Sequence, residues 1–324
     1  MKRREGMALL TVLLLVAVMS ALAVAVLDDI RFSVRRGANA RTVGQAQWYA
    51  LGAEQLAQAQ IARLAAANPS RTTLAGGWNG RPFVFPLEDG EIRARVRDGG
   101  NCFNLNSVVQ GSLDTLTPRP QGRRQFVSLM QILSVPRGEA EAIADALVDW
   151  IDTNETRDGL GGEDDTYART QPAYRTGGTL LAEVSELRAL RGVTPDIYAR
   201  LRPYACALPT NELSPININT LLERDAVLVT MLSDGRISPE AARRALAERP
   251  AGGWENGYAF FNSLVSDLPE GVGEIYDQVK VQTRYFALDA EVDYAGAEVV
   301  LSALIEQSGF GSTRLLARRW TADE

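Results

Sequence analysis

One hydrophobic pattern runs from the N-terminus to about residue 67. Residues 7–27 contain no charged side chain, and as a helix this run would be about 31 Å long, enough to cross the hydrocarbon core of a bilayer. Beyond Asp28, apolar positions recur mostly every three or four residues, and Asn68-Pro69 is a typical helix stop. The pattern predicts one helix over residues 7–67, spanning the membrane at 7–27; the alternative is an anchor followed by a separate juxtamembrane helix.

The residues before the apolar run bear on its orientation and processing. Lys2, Arg3 and Arg4 favour a cytoplasmic N-terminus, which places the rest of the chain outside the cytoplasm. An ordinary secretory signal is the alternative, but its small-residue motif would lie inside the apolar run, at residues 21–25. Gly6, directly before the run, is the other candidate cleavage position.

Alternating apolar and polar positions predict strands at both ends of the soluble part. Residues 81–85 and 91–98 flank the Asp89-Gly90 turn, and three further runs lie near the C-terminus, at residues 285–292, 299–305 and 313–320. Helical periodicity fills the sequence between them. We therefore expect an α+β fold in which one antiparallel sheet, from residues 68–106 and 273–324, packs on the N-terminal helix and is interrupted by an inserted helical domain at 107–272.

Composition excludes several classes of function. The formal net charge is −6, which argues against nucleic-acid binding through the phosphate backbone. The chain has no histidine, which removes the commonest general base and metal ligand and with it Ser-His-Asp and Cys-His catalysis. We expect no enzyme activity, although acid–base chemistry by carboxylates alone remains open.

Two cysteines, Cys102 and Cys206, lie far apart in the sequence. In an exported domain, two cysteines most simply form one disulfide. The alternatives are two buried thiols or a thiolate nucleophile.

An acidic segment carries the strongest chemical signal. Asp152, Asn154 and Thr156 are spaced by two, and Glu163 occupies the twelfth place counted from Asp152, as in an EF-hand loop. Arg157 stands where that loop requires glycine, so the segment is an oxygen-rich loop that suits Ca²⁺ rather than a true EF-hand; a solvated acidic loop is the alternative. Its seven acidic residues are Asp149, Asp152, Glu155, Asp158, Glu163, Asp164 and Asp165.

Two similar asparagine-rich phrases stand at residues 102–107 and 215–220. They are similar to the entry of helix-hairpin-helix modules, some of which bind DNA. Asparagine and threonine also cap helices and turn the chain, so we interpret both phrases as scaffold.

The N-terminal features together resemble the type IV pilin and pseudopilin class. The resemblance implies that a prepilin peptidase cuts between Gly6 and Met7 and methylates Met7. Most members have a glutamate at the position of Thr11. A buried carboxylate in lipid is costly unless paired, so a subunit without it suits a filament end, with no subunit ahead of it.

Further motifs are similar to those of the general secretion pathway protein K family, the large minor pseudopilins of type II secretion. They are Asp149-Trp-Ile-Asp152, Gly162-Glu-Asp164, Tyr174-Arg175, Ser185-Glu-Leu-Arg188 and Arg318-Arg-Trp320. The resemblance implies a pseudopilin fold with a helical insertion, a single-pass inner-membrane protein with a periplasmic domain, and a role in capping or starting the pseudopilus tip. It implies minor pseudopilins I and J as partners, and contact with exported substrates.

The same resemblance implies calcium in the insertion. Its ligands map onto Asp152, Asn154, Glu163 and Asp164, with Asp158 and Thr156 second in rank. Thr176-Gly-Gly178 replaces an asparagine-bearing turn of relatives, which removes one expected ligand. The rival functions are a membrane-anchored hydrolase that uses these carboxylates and a minor pilin of a type IV pilus.

Overall fold

A computed structural model describes residues 2–264, 273–309 and 311–322. The α-helices are α1 (Lys2–Ala67), α2 (Pro120–Ile132), α3 (Arg137–Ile151), α4 (Asp164–Tyr167), α5 (Pro195–Leu201), α6 (Val227–Leu232), α7 (Pro239–Ala247), α8 (Gly257–Leu264) and α9 (Gly273–Tyr276). The strands are β1 (Pro82–Leu87), β2 (Gly90–Asp98), β3 (Phe103–Asn104), β4 (Val109–Ser112), β5 (Thr115–Pro118), β6 (Ala205–Cys206), β7 (Ile216–Asn217), β8 (Val279–Lys280), β9 (Tyr285–Tyr294), β10 (Ala297–Ser308) and β11 (Ser312–Arg319).

The N-terminal helix is continuous over its 66 residues, as the hydrophobic pattern predicts, and the alternative of two separate helices is wrong. Its stretch apolar enough to cross a membrane is entirely exposed. The helix ends where predicted, because the Asn68 side chain accepts hydrogen bonds from the backbone N–H groups of Ser70 and Arg71 and Pro69 cannot continue the helix.

Five strands form an antiparallel sheet in the order β1-β2-β9-β10-β11, so strands from both ends of the soluble part are neighbours. The predicted α+β architecture is confirmed. The soluble half of α1 lies over the sheet, mainly over β9 and β10. Its buried apolar residues recur every three or four positions and are mostly alanine, which lets the helix approach the sheet closely: Ala46, Ala50, Ala53, Ala57 and Ile61.

One buried ion pair ties the helix to the sheet. Glu54 of α1 has no exposed surface, and its two carboxylate oxygens accept from Arg318 of β11 at 2.6 and 2.8 Å. A bidentate contact of this kind fixes both the rotation of the helix and its position along the strand.

The insertion is wider than the predicted residues 107–272. The chain leaves the sheet after Asp98 and returns at Tyr285. Phe103 and Leu105, which fall inside the predicted sheet segment 68–106, are fully buried in a second hydrophobic core that belongs to the insertion, and Val279 is part of the same core. The predicted boundary at residue 272 lies outside the described residues.

The two asparagine-rich segments, residues 102–107 and 215–220, make the same kind of hydrogen bonds inside the insertion. Asn106 accepts from the backbone N–H of Leu181 and donates to its carbonyl, and Asn219 makes the same pair of bonds with Trp254. Each phrase also starts a short parallel strand pair, β3 with β6 and β7 with β8. Both asparagines are fully buried, so they satisfy backbone groups of loops that would otherwise lack partners.

Cys102 and Cys206 form the predicted disulfide. Cys206 lies in β6 and its partner directly precedes β3, so the bond sits beside the β3–β6 pairing. It closes a loop with a sequence separation of 104 residues.

Candidate functional site

The end of α3 positions the first acidic side chains. Asp149 lies in the last turn of the helix and Asp152 caps its C-terminus, three residues later, so both point from the same face. The two residues are buried, with Asp149 fully so. Burial of two neighbouring carboxylates is costly unless a positive charge or hydrogen bonds compensate.

The following loop folds back and adds Asp158. One carboxylate oxygen from each of Asp149, Asp152 and Asp158 lies within 4.8 Å of the other two. The Asp149 side chain also accepts from the backbone N–H of Asp158 at 2.9 Å, which closes the loop onto the helix. This spacing is compatible with three oxygens around one hard cation.

Glu163 brings a fourth carboxylate toward the cluster. Three buried carboxylate oxygens here have no hydrogen-bond partner among the residues that the structure describes: Asp149 Oδ2, Asp152 Oδ1 and Glu163 Oε1. Buried carboxylate oxygens without donors are rare in folded proteins, because each carries the full desolvation cost. The donor set is therefore one that a hard cation such as Ca²⁺ would satisfy.

The pKa values of these carboxyl groups reflect the same cost of burying unpaired carboxylates. Burial, followed by the charges of Asp149 and Asp158, raises the pKa of Asp152 to about 7. Burial and the charges of Asp149 and Asp152 raise the pKa of Glu163 to about 7. For Asp149, burial outweighs the hydrogen bond from Asp158 and raises the pKa to about 6.

Two glycines allow the loop to lie against the helix. A Cβ at Gly161 would stand 2.2 Å from Asp149 Oδ2, and one at Gly159 would stand 2.4 Å from Asp145 Oδ2. Gly159 also has a positive φ of 49°. Asp145 is not part of the unpaired set, because it forms an ion pair with Arg123 and accepts from the backbone of Leu160.

The other two predicted ligands are placed differently. Asp164 accepts from the backbone and hydroxyl of Thr176, both at 2.9 Å, so it fastens the next loop. Asn154 donates to Asp152, while its side-chain oxygen accepts from the Thr156 backbone. Of the predicted set, the structure brings Asp152 into the three-carboxylate cluster, and Glu163 lies near enough for the charges of Asp149 and Asp152 to act on it.

Asp149 is absent from the predicted ligand set, and Asp158 has only second rank there. The signal for Asp149 was its spacing of three from Asp152 at the end of a helix. The position of Asp158 depends on how the loop folds back at Gly159 and Gly161, and no local sequence pattern predicts that conformation.

Aromatic side chains hold the loop that follows the cluster. The Trp150 ring lies edge-on to Tyr167 at 5.2 Å, and Tyr167 contacts Tyr174 at 5.3 Å. Trp150 also accepts, through its carbonyl, from the backbone N–H groups of Gly177 and Gly178. These contacts hold the segment that follows the cluster against the end of α3.

Comparison with known proteins agrees with this architecture. Two family models described as type II secretion system protein K match residues 101–210 and 216–282. A protein of that name from Klebsiella pneumoniae is 34% identical over 325 residues, with 99% of each chain covered. One from Pectobacterium carotovorum subsp. carotovorum is 37% identical, covering 78% of this chain and 77% of the relative.

The chain belongs to the type II secretion system protein K family. A chain in the crystal structure of the GspK-GspI-GspJ complex from the type 2 secretion system of enterotoxigenic Escherichia coli is 32% identical and superposes with a TM-score of 0.79. The match covers 88% of this chain and 98% of that one. Membership of the protein K family makes the protein a minor pseudopilin of the type II secretion system, as the sequence motifs indicate, and it does not favour the hydrolase or the type IV pilus alternative.

Proposed function

We propose that this protein caps or initiates the pseudopilus tip together with minor pseudopilins I and J, and so serves export without catalysing a reaction. The observation that carries the proposal is the combination of an exposed apolar helix with a bulky side domain. Residues 7–34 of α1 are exposed throughout, whereas an insertion with its own core projects from the sheet between Asp98 and Tyr285. A subunit of this shape can join a helical bundle once, but repeated copies would crowd a thin filament.

The tip role is tested at Thr11, which lies in the exposed apolar part of α1. The Thr11→Glu variant supplies the carboxylate that repeating pilin subunits use to pair with a neighbour's N-terminal amine. We expect membrane insertion to persist, and the position of the subunit in the filament to change. Crosslinking to I, J and the major pseudopilin measures that position; an unchanged crosslink pattern would contradict the role given to Thr11.

Anchoring and processing belong to the same proposal. We place the single membrane span at residues 7–27, the soluble part in the periplasm, and cleavage by the prepilin peptidase between Gly6 and Met7. The support is the basic leader and the exposed apolar start of α1. Mass spectrometry of the N-terminal peptide, with and without the peptidase, should find N-methylated Met7 only when the enzyme is present; an intact Met1 in both samples would mean an ordinary anchor.

For the acidic cluster we propose a structural Ca²⁺ site held by Asp149, Asp152, Asp158 and Glu163, with Asn154 and Asp164 supporting the loops around it. Bound Ca²⁺ would neutralise like charges that otherwise repel one another in a buried place. The site then acts on the shape of the insertion.

Calcium dependence is tested by thermal unfolding with Ca²⁺ and with EDTA. Ca²⁺ at a hundred times its dissociation constant should stabilise the protein by about 2.7 kcal/mol. The Asp152→Asn variant should lose this difference. Asp165→Asn is the matched control, because Asp165 lies in α4, two residues after Glu163, but is exposed and paired with Arg157. Equal unfolding with Ca²⁺ and EDTA in the unmodified chain would contradict the site.

A further inference from the structure

A basic patch lies on α1 directly after the apolar run. Its members are Arg31, Arg35 and Arg36, and all three side chains are exposed. The first α1 residue that the structure shows as buried is Ala46, which lies further along the helix than the whole patch. These arginines therefore contribute nothing to the packing of the helix on the sheet.

The chain offers little to balance the charges of the patch. Arg31 has Asp28 at 3.9 Å, but both side chains are largely exposed, and such a pair contributes little to stability. Among the residues that the structure describes, Arg35, Arg36 and Asp29 form no ion pair. Arg31 and Arg35 also stand four residues apart on one face of the helix, where like charges repel. The patch therefore favours an anionic ligand from outside the chain.

Depth relative to the membrane decides which anion reaches the patch. With the span at residues 7–27 and a rise of about 1.5 Å per residue, Arg31 stands about 6 Å and Arg35 about 12 Å beyond the hydrocarbon core. The headgroup layer of a bilayer is roughly 5–7 Å thick on each side. Side chains on a helix tilt toward its N-terminus, which is here the membrane side, and arginine is long enough to reach back in that direction. The guanidinium groups therefore reach the level of the lipid phosphates.

Exposed apolar side chains alternate with the arginines. Ile30, Phe32 and Val34 are 52%, 66% and 65% exposed. Segments that lie at a bilayer interface combine apolar side chains, which enter the acyl boundary, with cations that attract anionic lipids. A soluble anion would contact the arginines alone and leave these apolar side chains in water. The combination therefore favours a lipid as the ligand.

The side of the membrane on which the patch lies points the same way. Basic residues close to a span favour the cytoplasmic side, so arginines at its outer end oppose the orientation proposed above. The leader counters them with three basic residues, and the proposed cleavage after Gly6 removes those residues. Contacts between the patch and anionic headgroups would hold the mature helix in place after that removal.

We infer that Arg31, Arg35 and Arg36, with Phe32 among them, bind anionic phospholipid headgroups of the periplasmic leaflet and so fix the depth of α1 in the inner membrane. The inference rests on the proposed span at residues 7–27 and on the proposed periplasmic placement of the soluble part. It deepens that proposal by naming the ligand class of the segment that joins the span to the soluble fold.

Lipid competition tests the inference. The full chain in detergent is bound to a fluorescent phosphatidylglycerol, and unlabelled phosphatidylglycerol, phosphatidylcholine or inorganic phosphate then competes with it. We expect phosphatidylglycerol to displace the probe far better than the other two. Arg31→Gln, Arg35→Gln and Arg36→Gln should each weaken phosphatidylglycerol binding about fivefold, since one basic residue near an anionic surface contributes about 1 kcal/mol.

Arg41→Gln is the matched control. Arg41 is an exposed arginine of the same helix, but it stands about 21 Å beyond the core, further than the screening length at physiological salt, so its variant should bind lipid normally. Replacing all three patch arginines by lysine keeps the charges and should keep most of the binding. Because the patch lies outside the packed fold, all these variants should fold and insert like the unmodified chain.

Equal affinity for phosphatidylglycerol and phosphatidylcholine would overturn the inference and leave the membrane span and the tip role standing. Displacement of the probe by inorganic phosphate as effective as that by phosphatidylglycerol would also overturn it, and would assign the patch to a soluble anion. If the triple glutamine variant bound lipid normally but no longer co-purified with I and J, the arginines would belong to a subunit contact instead. Extraction of the unmodified chain from membranes by alkaline carbonate would contradict the span itself.

Discussion

At the scale of single residues, the Glu54–Arg318 pair is the most consequential contact between helix and sheet. Replacing Arg318 by alanine leaves a fully buried carboxylate without its partner, and we expect a loss of about 3 kcal/mol in the free energy of unfolding. That value is at the low end for buried pairs because the arginine is partly exposed. Urea unfolding of the full chain in detergent measures it.

A double variant separates the net contribution of the ion pair to stability from the cost of leaving Glu54 buried without its partner. Glu54→Leu combined with Arg318→Leu removes both charges, so its loss should be smaller than that of Arg318→Ala alone. Arg95→Ala, an exposed arginine on the other side of the sheet, should change stability by less than about 0.5 kcal/mol. If all three variants unfolded alike, the pair would have no special role.

At the scale of elements, Asn106 and Asn219 hold loops of the insertion in place through paired bonds to the backbone of Leu181 and Trp254. Asn106 holds three backbone groups, the N–H and carbonyl of Leu181 and the carbonyl of Leu208. Asn106→Ala should lower the free energy of unfolding by about 3 kcal/mol, because several buried polar groups lose their partners together.

The control for this prediction is Asn256, which caps the start of α8 through one exposed bond to Ala259. Asn256→Ala should cost about 1 kcal/mol. Thermal unfolding followed by circular dichroism compares the stability losses of the two variants. An equal loss would mean that Asn106 contributes no more than an ordinary helix cap.

The elements also show what the sequence could predict. The strands at Asp89-Gly90 and near the C-terminus were predictable because alternation and turn residues are local signals. The border of the insertion was not, because no local signal shows that the core around Phe103 and Leu105 is supplied by distant helices. For the same reason the acidic loop was recognised, but the carboxylates that converge depend on how it folds back at Gly161.

At the scale of the whole molecule, two hydrophobic cores meet through a polar joint. One core belongs to α1 and the sheet, and the other to the insertion. Between them lies Asp98, buried at the end of β2, which accepts from the hydroxyls of Thr220 and Thr283. Burial outweighs these bonds and raises the pKa of Asp98. Joints built from hydrogen bonds rather than shared apolar surface let two units open separately.

The disulfide gives a test of that independence, because it lies within the insertion. In the chain-entropy model, a loop of this length is worth about 4.7 kcal/mol. The Cys102→Ser/Cys206→Ser variant should therefore lose hydrogen-exchange protection in α2 and α3 by up to that amount, while β9 and β10 keep theirs. Arg318→Ala should give the reverse pattern, since its contact lies in the other unit. Equal loss of protection in both units for either variant would show that the polar joint couples the two cores into one cooperative fold.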